Sequence, residues 1–178
     1  MTLDTNSTVW TFRSWGRPFR LISPLLDCSS PKTTPLQIEC GWGFCSVLTR
    51  SGDVYAWWPF DRLLESLYRR TMGELDGDRS TRAIVSGNGT AIPCHVWGME
   101  HDPFKLPPLP DLPDLPSTGI PKKERKKSTK LIKIAAFDSS MVGLTNKGHV
   151  LKIDGLTDED SVRHWRYVSG HAQVTMDL

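Results

Sequence analysis

The side chains best suited to chemistry in this sequence are its four cysteines and five histidines. Cys94 and His95 are adjacent, but no second pair lies at the spacing that zinc sites use, and the sequence contains no CxxC. Cys40 and Cys45 are five residues apart, which places them on opposite faces of a continuous strand. We therefore expect no metal site, and we expect reduced thiols in an intracellular protein.

The motifs of nucleophilic and phosphate-binding sites are absent from the sequence. It contains no GxxxxGK, GxSxG or HExxH. The glycine-rich run 86–89 lies in a predicted hairpin turn and opens no helix, so we do not expect it to bind phosphate. We expect neither an enzymatic activity nor a cofactor.

Positive charge is concentrated in one short segment. The chain has a net charge of +2, but residues 119–133 alone hold seven lysines and arginines and one glutamate, so the rest of the chain is acidic. This distribution argues against a broad nucleic-acid-binding face, and no aromatic side chains alternate with the lysines. The basic cluster fits either a nuclear-import signal or a solvated loop. It consists of Lys122, Lys123, Arg125, Lys126 and Lys127.

Two similar strand–turn–strand segments lie at about 36–58 and 131–154. Both contain extended apolar runs, and a glycine in each can adopt the positive φ that a tight turn requires. Five identities share an offset of 96 residues and fall on hairpin positions, which is typical of a repeat architecture. The residues that define the two hairpins are Leu48, Thr49, Gly52, Val54 and Trp57 in the first, and Leu144, Thr145, Gly148 and Val150 in the second.

Three other segments lie between the two copies. Apolar residues at helical spacing predict an amphipathic helix over 60–76, which packs on its own domain or docks in a partner groove. A further hairpin is predicted over 83–97. A Pro-rich and basic loop over 103–130 contains Leu-Pro repeats, which either pack against the domain or bind an aromatic groove. The candidate partner residues of the helix are Leu63, Leu64, Leu67 and Met72.

The first hairpin resembles the repeat of the regulator-of-chromosome-condensation family. The resemblance rests on Cys40-Gly41, Leu48-Thr49, Gly52, Val54-Tyr55 and Trp57. Residues 133–153 are similar, and each family repeat forms one four-stranded blade of a β-propeller. The offset of 96 then means either two repeats, one of them degenerate, or one repeat with two insertions. The second interpretation is favoured because residues 92–96 resemble a step inside a single repeat.

A wider set of motifs is similar to fungal propeller proteins of the SCF-associated-factor type. The set comprises Trp15-Gly16-Arg17-Pro18, Trp57-Trp58-Pro59, the Leu-Pro repeats and the second hairpin through Lys152. Those proteins join an F-box to the propeller and recruit substrates to a cullin-based ubiquitin ligase. The residues before Ile38 do not show an F-box pattern, so the resemblance implies only the substrate-recognition part.

The predicted fold class is all-β, a partial β-propeller of about three blades over 1–178 with the inserted helix and the Pro-rich loop. The resemblance implies a protein-binding module that recognises substrates for an SCF-type ubiquitin ligase. The alternatives are guanine-nucleotide exchange on a small GTPase, which is the activity of the family's founding member, and a truncated, non-functional fragment. We expect the chain to bind a protein partner and to bind neither a membrane nor nucleic acid. We expect a cytoplasmic or nuclear location, and we expect a longer gene product to contain the missing blades.

Overall fold

In the computed structural model of the chain, strands dominate and helices are few, so the all-β class is confirmed. The structure describes residues 1–14, 17–75, 81–85, 91–95, 97–115, 119–125 and 128–168. Within these residues the strands form three four-stranded sheets and one separate hairpin. No helix in the described ranges has the length and apolar content needed to span a bilayer.

Each four-stranded sheet is named by its place in the chain. The N-terminal sheet consists, in spatial order, of β1 (Thr2–Leu3), β2 (Val9–Ser14), β3 (Arg17–Ile22) and β9 (Trp97–Glu100). The central sheet consists of β4 (Pro35–Cys40), β5 (Cys45–Thr49), β6 (Val54–Trp57) and β10 (Phe104–Lys105). The C-terminal sheet consists of β11 (Leu131–Ala136), β12 (Ser140–Thr145), β13 (Val150–Asp154) and β14 (Arg166–Tyr167). All neighbouring strands are antiparallel except β3 and β9.

The chain leaves the central sheet after its third strand and returns later to add the fourth. Between β6 and β10 lie the helix α1 (Arg62–Leu75), the separate hairpin of β7 (Thr81–Val85) and β8 (Ala91–His95), and β9. Because β9 pairs with β3, this insertion ties the central sheet to the N-terminal sheet. The helix predicted over 60–76 is thus α1, and the hairpin predicted over 83–97 corresponds to β7 and β8.

The central and C-terminal sheets repeat the same backbone hydrogen bonds at the offset of 96 residues. The N–H of Thr49 donates to the carbonyl of Asp53 at 2.9 Å, and Thr145 donates to His149 at the same distance. The strand pairs also share a register irregularity at equivalent positions near the start of β4 and of β11. The sequence offset therefore corresponds to two copies of one structural unit.

Glycine is required at the equivalent tight turn of each copy. Gly52 has a φ of 94° and Gly148 has a φ of 95°. An L residue in this left-handed region costs about 1–2 kcal/mol, whereas glycine adopts it freely. The two turn glycines recognised in the sequence therefore set the direction in which each third strand leaves the turn.

The three sheets stack with the central sheet in the middle, and two apolar cores lie between them. The core toward the N-terminal sheet contains Val9, Phe19, Leu21, Val47, Tyr55 and Trp57, with Leu64 and Tyr68 of α1. The core toward the C-terminal sheet contains Leu48, Val54, Ala56, Trp58, Leu131, Ile134, Met141, Leu151 and Ile153. The central sheet thus buries alternate residues against its two different neighbours, as the period of two in a strand requires.

The central and C-terminal sheets face the same way in this stack. Trp57 of the central sheet packs toward the N-terminal sheet, and the equivalent Ile153 packs toward the central sheet. Val54 is 3% exposed because the C-terminal sheet covers it. The equivalent Val150 is 46% exposed, because it lies on the outer face of the last sheet. The valine of the shared motif is therefore a core residue in one copy and a surface residue in the other.

One face of α1 packs on the N-terminal sheet, against β9 and β3. Leu64 and Tyr68 are each 2% exposed, and the Tyr68 ring meets Phe19 edge-on at 4.7 Å. Leu67 is half-buried at the edge of the same core. Of the candidate partner residues, Leu63 is 60% exposed, whereas Leu64 is covered by the chain's own core and is not accessible to a partner. Residues 64 and 68 are four positions apart and share the helix face that packs on the core. Residue 63 is rotated away from this face by one helical position.

The Leu-Pro segment over 106–115 packs against the sheets. Leu106 and Leu112 are buried in the core between the central and C-terminal sheets. The indole Nε1 of Trp165 donates to the carbonyl of Pro107 at 3.0 Å. These contacts support the interpretation of the segment as a connection packed on the domain, because Leu106 and Leu112 are anchored in the core.

Candidate functional site

Three aromatic side chains form an exposed apolar surface near the turn between β4 and β5. Trp42 is 86% exposed, Phe60 is 81% exposed and Phe12 of β2 is 49% exposed. All three line one cleft of about 300 Å³. Single exposed apolar residues are common, but a contiguous aromatic patch is typical of an interaction surface.

The turn between β4 and β5 holds Trp42 outward. The N–H of Gly41 donates to the carbonyl of Phe44 at 3.0 Å, and the N–H of Trp42 donates to the carbonyl of Asp138 at 2.9 Å. A side chain on Gly41 would collide with the Phe44 ring and with the backbone oxygen of Phe137. Glycine at 41 therefore allows the turns of two neighbouring sheets to approach, and the backbone of Trp42 is fixed between them.

Phe60 is exposed because it lies before the first turn of α1. The N–H of Asp61 donates to the carbonyl of Trp58 at 3.0 Å, and the Asp61 carboxylate accepts a hydrogen bond from the N–H of Leu63. This N-cap starts the helix at Arg62. Phe60, the first residue of the helix predicted over 60–76, therefore lies outside the helix, and its side chain lies on the surface.

A second cleft, of about 540 Å³, adjoins the first. Phe60 borders both clefts, and the second lies between Phe60 and the loop over 157–159. The two clefts share Phe60 on their borders, and we name them together the Trp42–Phe60 groove. One end of the groove is aromatic and the other is polar.

The polar end of the groove is acidic. Asp61, Asp158 and Glu159 line it, against a single cation, Arg62. Hydrogen bonds from Ser161 lower the pKa of Asp158, so this carboxylate is ionised at neutral pH. The groove therefore combines aromatic faces with carboxylates, which is a surface that favours a cationic ligand.

Cys40 and Cys45 also line the aromatic end of the groove. They are directly opposite each other in the pairing of β4 with β5, and their Sγ atoms are 3.5 Å apart. The prediction that they lie on opposite faces was wrong, because the turn at 41–44 reverses the chain between them. Their hydrogen bond lowers the pKa of Cys40 to about 7, and the same bond together with burial raises the pKa of Cys45.

The hairpin residues singled out in the sequence have structural positions. Leu48, Thr49, Val54, Trp57 and Thr145 are at most 3% exposed, Leu144 is half-buried and Val150 is exposed. They belong to the sheets, as do the turn glycines Gly52 and Gly148, and none of them lines the Trp42–Phe60 groove.

The basic cluster lies away from the groove. Lys122, Lys123 and Arg125 belong to the one-turn helix α2 (Lys122–Arg125), where the two lysines are exposed, while Lys126 and Lys127 lie outside the described residues. Met72, the last candidate partner residue, is on α1, but its side chain lies outside the described part of the structure.

Within the described ranges, no three His, Cys, Asp or Glu side chains are grouped so that they could hold a metal ion. Comparisons with family models, with curated proteins and with solved structures give no match for this chain.

Sequence reasoning missed the Trp42–Phe60 groove. One signal was available, since a tryptophan between Gly41 and Gly43 in a short hairpin turn has little neighbouring side-chain volume against which to pack. The contribution of Phe60 had no such signal, because it depends on how α1 and the loop over 157–159 approach the turn.

Proposed function

We propose that this chain is a protein-binding module, and that the Trp42–Phe60 groove is its recognition surface. The observation that carries the proposal is the exposure of Trp42 and Phe60 in two clefts that meet at Phe60, the second of which is lined by three carboxylates. Buried aromatic anchors with a charged rim are the usual composition of protein interfaces.

The chemistry of the groove indicates the kind of segment that it binds. We propose a peptide with a large apolar or aromatic residue, which packs between Trp42 and Phe60, and a neighbouring lysine or arginine, which pairs with Asp61, Asp158 or Glu159. The apolar anchor supplies most of the affinity, and the ion pairs supply orientation.

We further propose that the three sheets are blades of an incomplete β-propeller. Three features support this interpretation: the sheets stack face to face, two of them repeat at an offset of 96, and equivalent residues of these two face the same direction. The outer face of the C-terminal sheet, where Val150 is exposed, is the face on which a further blade would pack.

The resemblance to SCF-associated-factor-type proteins extends the proposal to a biological role. The chain would recognise substrates for a cullin-based ubiquitin ligase, and an F-box in a longer gene product would provide docking to the ligase. The test is affinity purification of the full-length gene product. Recovery of cullin together with a protein that becomes ubiquitylated supports this role, and recovery without cullin contradicts it.

We expect Trp42→Ala to weaken binding of a selected peptide by at least thirtyfold, because a central aromatic anchor contributes about 2 kcal/mol or more. Peptides are selected from a random displayed library on the immobilised chain, and their affinities are measured by isothermal titration calorimetry. Phe60→Ala should have a similar effect, and raising the salt concentration should weaken binding of the basic peptides further.

Leu36→Ala is the matched control, since Leu36 is 46% exposed and lies outside the groove. Its affinity for the peptide should equal that of the unmodified chain. Trp42→Ala and Phe60→Ala should unfold within about 0.5 kcal/mol of the unmodified chain, because these two side chains are largely solvated. Peptides that bind Trp42→Ala and Phe60→Ala as tightly as the unmodified chain would exclude the groove as the recognition surface.

A further inference from the structure

We infer that Cys40 and Cys45 form a thiol-modification site, at which a hydroperoxide converts the two thiols to a cross-strand disulfide. The inference stands on the geometry of the pair and does not depend on the proposed binding function. The chemical class of its substrate is a small peroxide that reaches the exposed sulfur.

The backbone holds the two cysteines at a separation that a disulfide can bridge. Because Gly41 donates a hydrogen bond to Phe44, the next pair along the ladder, Cys40 and Cys45, is a non-hydrogen-bonded pair. Cα atoms of such pairs are about 4.5 Å apart, which is within the range of about 4.4–6.8 Å found for disulfides.

The sulfur atoms are already in contact. Their separation of 3.5 Å must shorten by about 1.5 Å to reach the length of an S–S bond. Rotation of the two side chains and a small movement of the hairpin end provide such a change. The two cysteines lie at this end of the hairpin, since only the turn residues 41–44 separate them.

The two thiols differ in the way that a two-step oxidation requires. Cys40 is exposed and Cys45 is buried, so a peroxide reaches Cys40 first. The hydrogen bond from Cys45 lowers the pKa of Cys40 and so favours its thiolate, which is the nucleophile. Cys45 retains its proton until the second step, because its pKa is raised.

The reaction balances with hydrogen peroxide as the oxidant; an alkyl hydroperoxide would release an alcohol in place of the first water. The Cys40 thiolate attacks one peroxide oxygen, the O–O bond breaks, and Cys40 becomes a sulfenic acid while hydroxide leaves and takes up a proton as water. Cys45 then gives up its proton, and its sulfur attacks the Cys40 sulfur and displaces the hydroxyl as a second water. The peroxide is reduced by two electrons, and the two thiols are oxidised to one disulfide.

The experiment treats the full, pre-reduced chain with equimolar hydrogen peroxide at neutral pH. Free thiols are then blocked, and the products are mapped by mass spectrometry. We expect one disulfide, between Cys40 and Cys45, which a dithiol reductant reverses. Cys40 should react at least about tenfold faster than Cys28, whose pKa is raised by burial and by Asp27 and Asp4.

Variants separate the two steps. Cys40→Ser should form no such disulfide and should keep the stability of the unmodified chain, because the side chain is exposed. Cys45→Ala should stop at the sulfenic acid of Cys40, which dimedone traps. Cys28→Ser is the matched control and should still form the disulfide. The proposal is wrong if the bond joins any other pair, or if Cys28 is oxidised as fast as Cys40.

Discussion

Replacing Trp58 with alanine should lower the free energy of unfolding by about 3–5 kcal/mol. The side chain is 7% exposed, and it lies in the core between the central and C-terminal sheets. Its Nε1 donates to the carbonyl of Leu156 at 3.0 Å, so it connects the end of the central sheet to the loop after β13. Alanine would leave a cavity and an unpaired carbonyl, and urea denaturation measures the combined loss.

The neighbouring tryptophan provides a matched comparison. Trp57 is 1% exposed and packs toward the N-terminal sheet, but its Nε1 has no hydrogen-bond partner among the described residues. Trp58→Phe should therefore cost about 1–3 kcal/mol more than Trp57→Phe, because only the first substitution leaves a buried carbonyl without its donor. Equal losses in the two variants would show that the bond to Leu156 contributes no net stability.

We expect Gly52→Ala to destabilise the chain by roughly 2–4 kcal/mol. The φ of 94° supplies one part of this loss. The second part is steric, because a Cβ at this position would lie 2.5 Å from the Cβ of Lys130 and 3.0 Å from the backbone nitrogen of Leu131. The turn of the central sheet therefore packs against the start of β11, and the melting temperature should fall accordingly.

Gly119→Ala isolates the conformational part of that loss. Gly119 has a φ of 70°, and no atom lies within 4 Å of the position that its Cβ would occupy. Gly119→Ala should lower the free energy of unfolding by at most about 1–2 kcal/mol, which is less than the loss expected for Gly52→Ala. If the two variants lose the same stability, the contact between the Gly52 turn and β11 is looser than the structure describes.

Most of the secondary structure was predictable from short stretches of sequence. The extended runs of β4, β5 and β6 and the turn glycine depend on residues within a few positions of each other. The offset of 96 indicated that the same local pattern returns, and the structure repeats it in β11, β12 and β13. Helix α1 was predictable for the same reason, although its first residue was not. The Asp61 cap starts the helix at Arg62, which excluded Phe60 from the helix.

The burial of equivalent residues was not predictable. Val54 and Val150 occupy the same position of the same motif, yet one is covered by the C-terminal sheet and the other is exposed. The pattern within a strand determines which residues share a face, but the sheet that covers this face comes from a distant part of the chain.

Both sites proposed for this protein depend partly on local sequence and partly on contacts between distant parts of the chain. Local residue order determines that Trp42 lies in a turn and that two cysteines flank it, because backbone conformation there follows from Gly41 and Gly43. The groove and the thiol pair arise only when strand pairing places Cys45 opposite Cys40 and when α1 and the loop over 157–159 approach the turn. The burial of apolar side chains that are far apart in the chain determines how these elements pack together. The free energy of this burial cannot be read from a short stretch of sequence.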